Sequence, residues 1–316
     1  MELTLPPSPT LSPAVREALL EFVLLRTTNP HTRRLYLSAL RRYADWLHSR
    51  NLALVDARPM HLALYAEGLS KELAPASIAA ELSGIRRLYA WLVERQILAA
   101  SPAVHCRGPR RVVTSGKTPV LGKDEIAALF ESLADNRPVD RRDRAVLHLM
   151  LYAFLRVGAV TALTSADGLA ALSTGALLVR EKGGQQRRVP LHPQALQSLA
   201  HHLADAPFRR DPEHPLFPSA LRGRSGSLGH RAMSRTEVYA MVRRRLRAAG
   251  ITTVAGCHAF RATGITEFLA CGGRIETAAL LAGHASLRTT QLYDRRPRDA
   301  AAAELAVLCF EREKGG

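Results

Sequence analysis

Leu281-Ala282-Gly283-His284-Ala285-Ser286-Leu287-Arg288-Thr289-Thr290-Gln291-Leu292-Tyr293 sets a histidine directly behind a glycine and a tyrosine nine residues beyond it. Taken alone, Tyr293 reads as a half-buried residue at a helix end, as tyrosines often are. The residues upstream change that reading. His258 and Arg261 stand three apart in Cys257-His258-Ala259-Phe260-Arg261-Ala262-Thr263-Gly264, a spacing that puts both on one helix face. Lys182 precedes a Gly183-Gly184 turn between two short strand-like runs, 176–180 and 187–191. Arg156 lies inside the apolar run Leu149-Met150-Leu151-Tyr152-Ala153-Phe154-Leu155-Arg156-Val157, where a solvated arginine would be out of place, so burial beside an anionic partner is expected.

Cleaving a phosphodiester without a metal needs a nucleophile, cations for the pentacovalent phosphate and a proton donor for the departing oxygen. The second half of the chain contains these groups. A free phenol has a pKa of about 10, so Tyr293 would need cations or a base beside it. Guanidinium forks suit two phosphate oxygens better than an ammonium point charge does. Of 44 basic residues only Lys71, Lys117, Lys123, Lys182 and Lys314 are lysines, which makes a lysine at the hairpin an improbable accident.

The chain has 316 residues, more than one core usually holds, so two domains are expected. With 47% hydrophobic and 23% charged residues it has an ordinary globular composition. The excess of 44 basic over 28 acidic residues, a net charge of +16, points to a polyanion such as nucleic acid. No run approaches the roughly 18 apolar residues of a membrane span, and Met1-Glu2-Leu3 does not open a secretory signal, so a cytoplasmic location is expected. Cys106, Cys257, Cys271 and Cys309 form no C-x-x-C pair, so neither a disulfide framework nor a zinc site is indicated, and no cofactor is expected.

Residues 1–12, with three prolines, read as a loose leader. From Asn29-Pro30, Tyr36, Leu40, Tyr43 and Leu47 form one helical stripe; after Pro75, Ile78, Leu82, Ile85, Tyr89 and Leu92 form another. With weaker helices near 12–26 and 58–70 these make a four-helix unit. A basic linker follows over 106–119, and Gly122 with Glu125 marks a new helix start. Further helices are predicted at 123–134, 141–155, 193–204, 234–249, 259–271 and 275–282, and 219–230 reads as a flexible basic loop. Candidate phosphate contacts are Arg33, Arg34, Arg41, Arg42, Arg86 and Arg87 in the first unit. In the second they are Arg222 and Arg224 in the loop and Arg243, Arg244, Arg245 and Arg247 on one helix.

Residues 120–298 resemble the catalytic domain of the tyrosine recombinase (phage integrase) family, and 12–105 its N-terminal core-binding domain. The family order of arginine, hairpin lysine, H-x-x-R, a histidine or tryptophan after glycine, then tyrosine is reproduced here as Arg156, Lys182, His258 with Arg261, His284 and Tyr293. The resemblance implies a mainly α fold with a small antiparallel β-hairpin. Its parts would be a four-helix core-binding domain (1–105), the basic linker (106–119) and a catalytic domain (120–316). It further implies a site-specific recombinase acting on double-stranded DNA sites through a 3′-phosphotyrosyl intermediate at Tyr293, leaving a free 5′-hydroxyl. Arg156 and Arg261 would hold the non-bridging oxygens, Lys182 would protonate the leaving oxygen, His258 would act as acid and base, and His284 would bond a non-bridging oxygen. The covalent link retains the energy of the broken bond, so rejoining would need neither ATP nor metal.

The family's assembly would be a homotetramer exchanging strands through a Holliday junction, with the helix expected at 299–310 docking on a neighbour. Integration, excision or resolution of a mobile element or replicon are the implied roles, and the short leader implies no extra arm-binding domain. Ala159 stands where many members place an acid three residues after the first arginine, and Ala262 where histidine is frequent. A non-catalytic DNA-binding homologue and a type IB topoisomerase-like enzyme are the alternative readings.

Overall fold

Proline occupies the first helical position of all four helices of the N-terminal region: α1 (Pro13–Leu25), α2 (Pro30–His48), α3 (Pro59–Glu72) and α4 (Pro75–Glu94). A proline costs nothing there, because that backbone N–H has no intrahelical partner and the ring already holds the helical φ. The computed structural model describes residues 13–295 apart from Thr28, Arg107, 109–115, Lys117, 181–185, Asp205 and 222–225. The chain divides into two compact units, Met1–Val112 and Val113–Gly316. Residues 1–12, most of the basic linker and the predicted terminal helix at 299–310 lie outside the described residues.

In the first unit both predicted stripes are buried, with Tyr43, Leu82, Ile85, Tyr89 and Leu92 at 0% exposure. The buried phenols find partners: Tyr89 donates to the Leu54 carbonyl at 3.0 Å, which leaves its oxygen to accept from Tyr43 at 3.1 Å. The buried Glu81 carboxylate is matched by Arg42 at 2.5 Å and by the Tyr65 hydroxyl.

The second unit is built round α6 (Pro138–Tyr152), which packs against α9 (Pro193–Ala204) and α11 (Cys257–Ala270). Before it comes α5 (Lys123–Glu131), whose entrance is closed as the sequence predicts by Glu125, accepting from the Gly122 N–H at 2.8 Å. The remaining elements are α7 (Val157–Val160), α8 (Ser165–Thr174), a short 3-10 helix (Pro207–Arg210), α10 (Arg235–Ala248), α12 (Ile275–Ala282), α13 (Leu287–Gln291) and two antiparallel hairpins. One hairpin pairs β1 (Ala176–Arg180) with β2 (Gln186–Pro190). The other pairs β3 (Pro218–Ala220) with β4 (Leu228–Ala232). The fold is thus mainly helical with small antiparallel sheets.

Three sequence expectations change. The predicted helix at 141–155 runs from Pro138 to Tyr152, because Pro138 starts it and Phe154 takes a left-handed φ of 52° just past its end. The predicted loop at 219–230 instead contributes to β3 and β4, which pair main chain to main chain through residues poor in β-branched side chains; Arg222 and Arg224 lie outside the described residues. Helix α8 was not expected. Its glycine and alanines give no apolar stripe, and Gly168 is small because a Cβ there would lie 2.7 Å from Leu216.

Two sets of contacts frame this unit, one between main chains and one between charged side chains. A Cβ at Gly264 would fall 1.9 Å from the Leu151 carbonyl, so α11 meets α6 backbone to backbone. Elsewhere α6 and α10 are tied by the buried carboxylates Asp140 and Asp143, both 0% exposed. Arg245 bonds each at 2.6 Å, Arg137 bonds Asp140 at 2.6 Å, and Arg142 and Arg244 bond Asp143 at 2.7 and 3.1 Å. Among the described residues no helix is long and apolar enough to cross a membrane.

Candidate active site

Helix α12 ends at Gly283, whose φ of 60° permits a left-handed cap. The His284 N–H returns to the Ala279 carbonyl at 3.0 Å and the Gly283 N–H to Leu280 at 3.1 Å, the paired bonds of a Schellman motif. The carbonyls of Leu281, Ala282 and Gly283 are left to project from the negative end of the helix. Three arginines from different elements meet them. Arg187 of β2 donates to Leu281 at 2.6 Å and Arg261 of α11 to Ala282 at 2.7 Å. Arg156 makes longer contacts to Ala282 at 3.5 Å and Gly283 at 3.4 Å.

Arg261 is 1% exposed and also donates to the Phe154 carbonyl, which the left-handed backbone at that residue presents, and to His284 Nε2 at 2.6 Å. A guanidinium has no acceptor, so His284 Nε2 must accept; the imidazole is then neutral with its proton on Nδ1, which donates to Thr290 Oγ1 at 2.9 Å. The electrostatics agree. Burial, then Arg261, Arg156, His258 and Arg187, push the His284 pKa down to about 4.

Tyr293 follows α13, is 9% exposed, and packs with Phe154, Ala262, Ile265, Leu269, Ala278 and Ala282 in a small core beneath the arginines. Its ring stacks on His284 at 5.9 Å, and its hydroxyl lies 3.0 Å from His258 Nε2. Thr266 bonds the Tyr293 carbonyl at 3.1 Å, anchoring the segment to α11. Burial, followed by Arg261 and Arg156, holds the His258 pKa below its ordinary value. The arrangement sets a phenol against a neutral imidazole at the rim of a guanidinium cluster, a geometry able to pass a proton and to receive an anion.

The structure brings together Tyr293, His258, Arg261, His284 and Arg156. Lys182 lies outside the described residues. The expected burial of Arg156 does not occur: the apolar run before it is buried, but the left-handed turn at Phe154 carries Arg156 to an exposed position heading α7. Arg187, Thr290 and Thr266 escaped the sequence reading. Thr290 carried the one available signal, since it lies in the same segment as His284 and Tyr293. Among the arginines proposed for phosphate contact, Arg34, Arg41, Arg86 and Arg87 are exposed. Arg33 instead closes the α1–α2 connection by donating to the Thr27 carbonyl at 3.1 and 2.9 Å, and Arg244 pairs with Asp143 while Arg243 is half-buried.

Residues 119–298 match the model of the phage integrase family, and residues 18–96 match the phage integrase N-terminal SAM-like domain. The chain is 31% identical to the tyrosine recombinase XerC of Myxococcus xanthus over 84% of its own length and 87% of that protein's. It is 29% identical to the tyrosine recombinase XerD of Pseudomonas putida over 83% of its length and 86% of the relative's. In fold it is similar to the site-specific recombinase XerH solved with its palindromic difH substrate, with a TM-score of 0.66 at 18% identity, covering 87% of this chain and 79% of that one. The chain belongs to the phage integrase family, the tyrosine recombinases, enzymes that cleave and rejoin DNA. It is similar to XerC and XerD, and site-specific recombination is its class of reaction.

Proposed function

We propose that this chain cleaves duplex DNA by attack of Tyr293 on a backbone phosphate, forming a 3′-phosphotyrosyl link and a free 5′-hydroxyl, and rejoins strands by the reverse step. The observation that carries the reading is the Tyr293 hydroxyl 3.0 Å from His258 Nε2, beside three converging arginines. Neutral His258 takes the phenol proton as the oxygen attacks phosphorus. Arg156 and Arg261 exchange backbone carbonyls for the non-bridging oxygens and stabilise the pentacovalent charge. Once Arg261 turns to phosphate, the neutral His284 ring is free to carry its proton on Nε2 and donate there, because the Thr290 hydroxyl serves either imidazole tautomer. Lys182 is the donor to the leaving 5′-oxygen. Duplex sites are gripped by the exposed arginines of the first unit together with Arg222, Arg224, Arg243 and Arg244. Strands are exchanged within a homotetramer through a Holliday junction, in the service of a mobile element or replicon.

The test is covalent capture. The chain is incubated with a pool of nicked suicide duplexes of randomised sequence, and adducts surviving denaturation are isolated and sequenced. Wild type yields an adduct on a recurring sequence and Tyr293→Phe yields none. Absence of any wild-type adduct, or equal capture by Tyr293→Phe, overturns the reading.

A further inference from the structure

In the β1–β2 register Arg187 stands opposite Val179, and Val189 opposite Leu177. Cross-strand partners share a face, and residues two apart on a strand share one too. Val179, Leu177 and Val189 are 3%, 0% and 0% exposed, so Arg187 occupies the inward face of the hairpin. An arginine at such a position cannot be left without an acceptor. It is met by the Leu281 carbonyl at 2.6 Å, against 2.7 Å for Arg261 to Ala282 and 3.4 and 3.5 Å for the contacts of Arg156. Leu281 lies three residues before His284, in the last turn of α12. β2 itself begins four residues after Lys182 in the sequence.

We propose that Arg187 is a positioning residue for strand cleavage: its bond to Leu281 fixes the α12–His284 turn against β2. The proposal rests on reading this cluster as the cleavage centre. The residue touches the turn and not the reacting atoms. The turn holds three things at once: the carbonyl that Arg156 and Arg261 share, the His284 ring, and through Thr290 the segment leading to Tyr293. A displacement of about 1 Å in such a frame costs up to roughly 100-fold in rate. Arg187 also adds positive charge near His284, which is further faced by Arg261 and His258 from α11, Arg156 ahead of α7, and the stacked Tyr293.

Arg187→Gln and Arg187→Lys are compared with wild type on the duplex recovered by covalent capture, reading single-turnover cleavage, DNA affinity and the pH profile. Arg187→Gln is expected to slow cleavage up to about 100-fold with affinity held within about threefold. Its acid limb moves to higher pH, since His284 loses one of the charges that keep it neutral. Arg187→Lys restores the limb and only part of the rate. Wild-type rate and limb in Arg187→Gln overturn the proposal, as does a loss of affinity matching the loss of rate, which would make Arg187 a DNA contact. If Arg187→Gln does not fold, Arg187→Lys decides by the same rate, and equality with wild type overturns. Failure of wild type itself to form an adduct sinks the cleavage reading instead, so the two failures are separate.

Discussion

Two arginine clusters in the second unit have opposite chemistry. Around α12 Arg156, Arg187 and Arg261 all donate to main-chain carbonyls, dipoles that orient a guanidinium, and Arg261 donates to His284 Nε2 as well. Between α6 and α10, Arg137, Arg142, Arg244 and Arg245 meet the buried carboxylates of Asp140 and Asp143. Burial, and after it the charges of Arg261 and Arg156, hold the pKa values of His258 and His284 at the first cluster below their ordinary value. A count of arginines in the sequence does not separate the two. What separates them is the group each guanidinium finds: on the function proposed above one cluster receives an incoming anion, while the carboxylate pairs of the other hold helices together.

Four measurements break or sharpen that contrast. Asp143→Ala takes the carboxylate partner of the buried Arg142 and one of the two that Arg245 holds, and should destabilise the fold by about 3–5 kcal/mol in denaturant titrations, while cleavage measured at a permissive temperature persists. Arg156→Ala, an exposed position, should do the reverse: cleavage falls by about 10²–10³-fold while the melting temperature barely moves. If Arg156→Ala unfolds the protein or Asp143→Ala abolishes cleavage in the folded state, the division of labour is wrong.

Lowering the pH probes both regions. His202, 5% exposed beside the carboxylate cluster, has its pKa pushed by burial from the ordinary 6.5 to about 4, and His284 in the other cluster reaches about 4 as well. The unfolded chain therefore binds more protons in this window, so the stability these groups confer is complete above about pH 6.5 and is lost as pH falls toward 4. His202 alone accounts for on the order of 3 kcal/mol. Calorimetry of His202→Gln should show a flatter acid dependence than wild type. The smallest effect belongs to Arg244→Ala: with its side chain 59% exposed, its pair with Asp143 should contribute under about 1 kcal/mol. A loss of DNA affinity in the same variant is the signature of the phosphate grip proposed for Arg244, and unchanged affinity removes it from that set.

The helices of the first unit were legible because proline starts and apolar stripes are local signals. The residues Tyr293, His258, Arg261 and His284 could be named as an ordered set, and the fold places them within contact of one another. What could not be read was anything that depends on a backbone acceptor. Arg187 looks in sequence like the solvent-facing Arg188 beside it, and only the hairpin register turns one inward and the other out. The exposure of Arg156 follows from the φ of Phe154, a residue type that does not advertise a left-handed turn. The alanine- and glycine-bearing α8 escaped for a related reason: its packing depends on small residues, which leave no periodic pattern.

Where α6 and α11 cross, the absence of a side chain at Gly264 lets main chain rest on main chain. The distance from the end of one helix to Arg261 on the other is thereby referred to peptide geometry, which every sequence shares, and not to the bulk of side chains, which mutation changes freely. Neighbouring core positions can drift through many generations of substitution without that gap being reset. A single methyl at Gly264 would use up the whole of this tolerance at once.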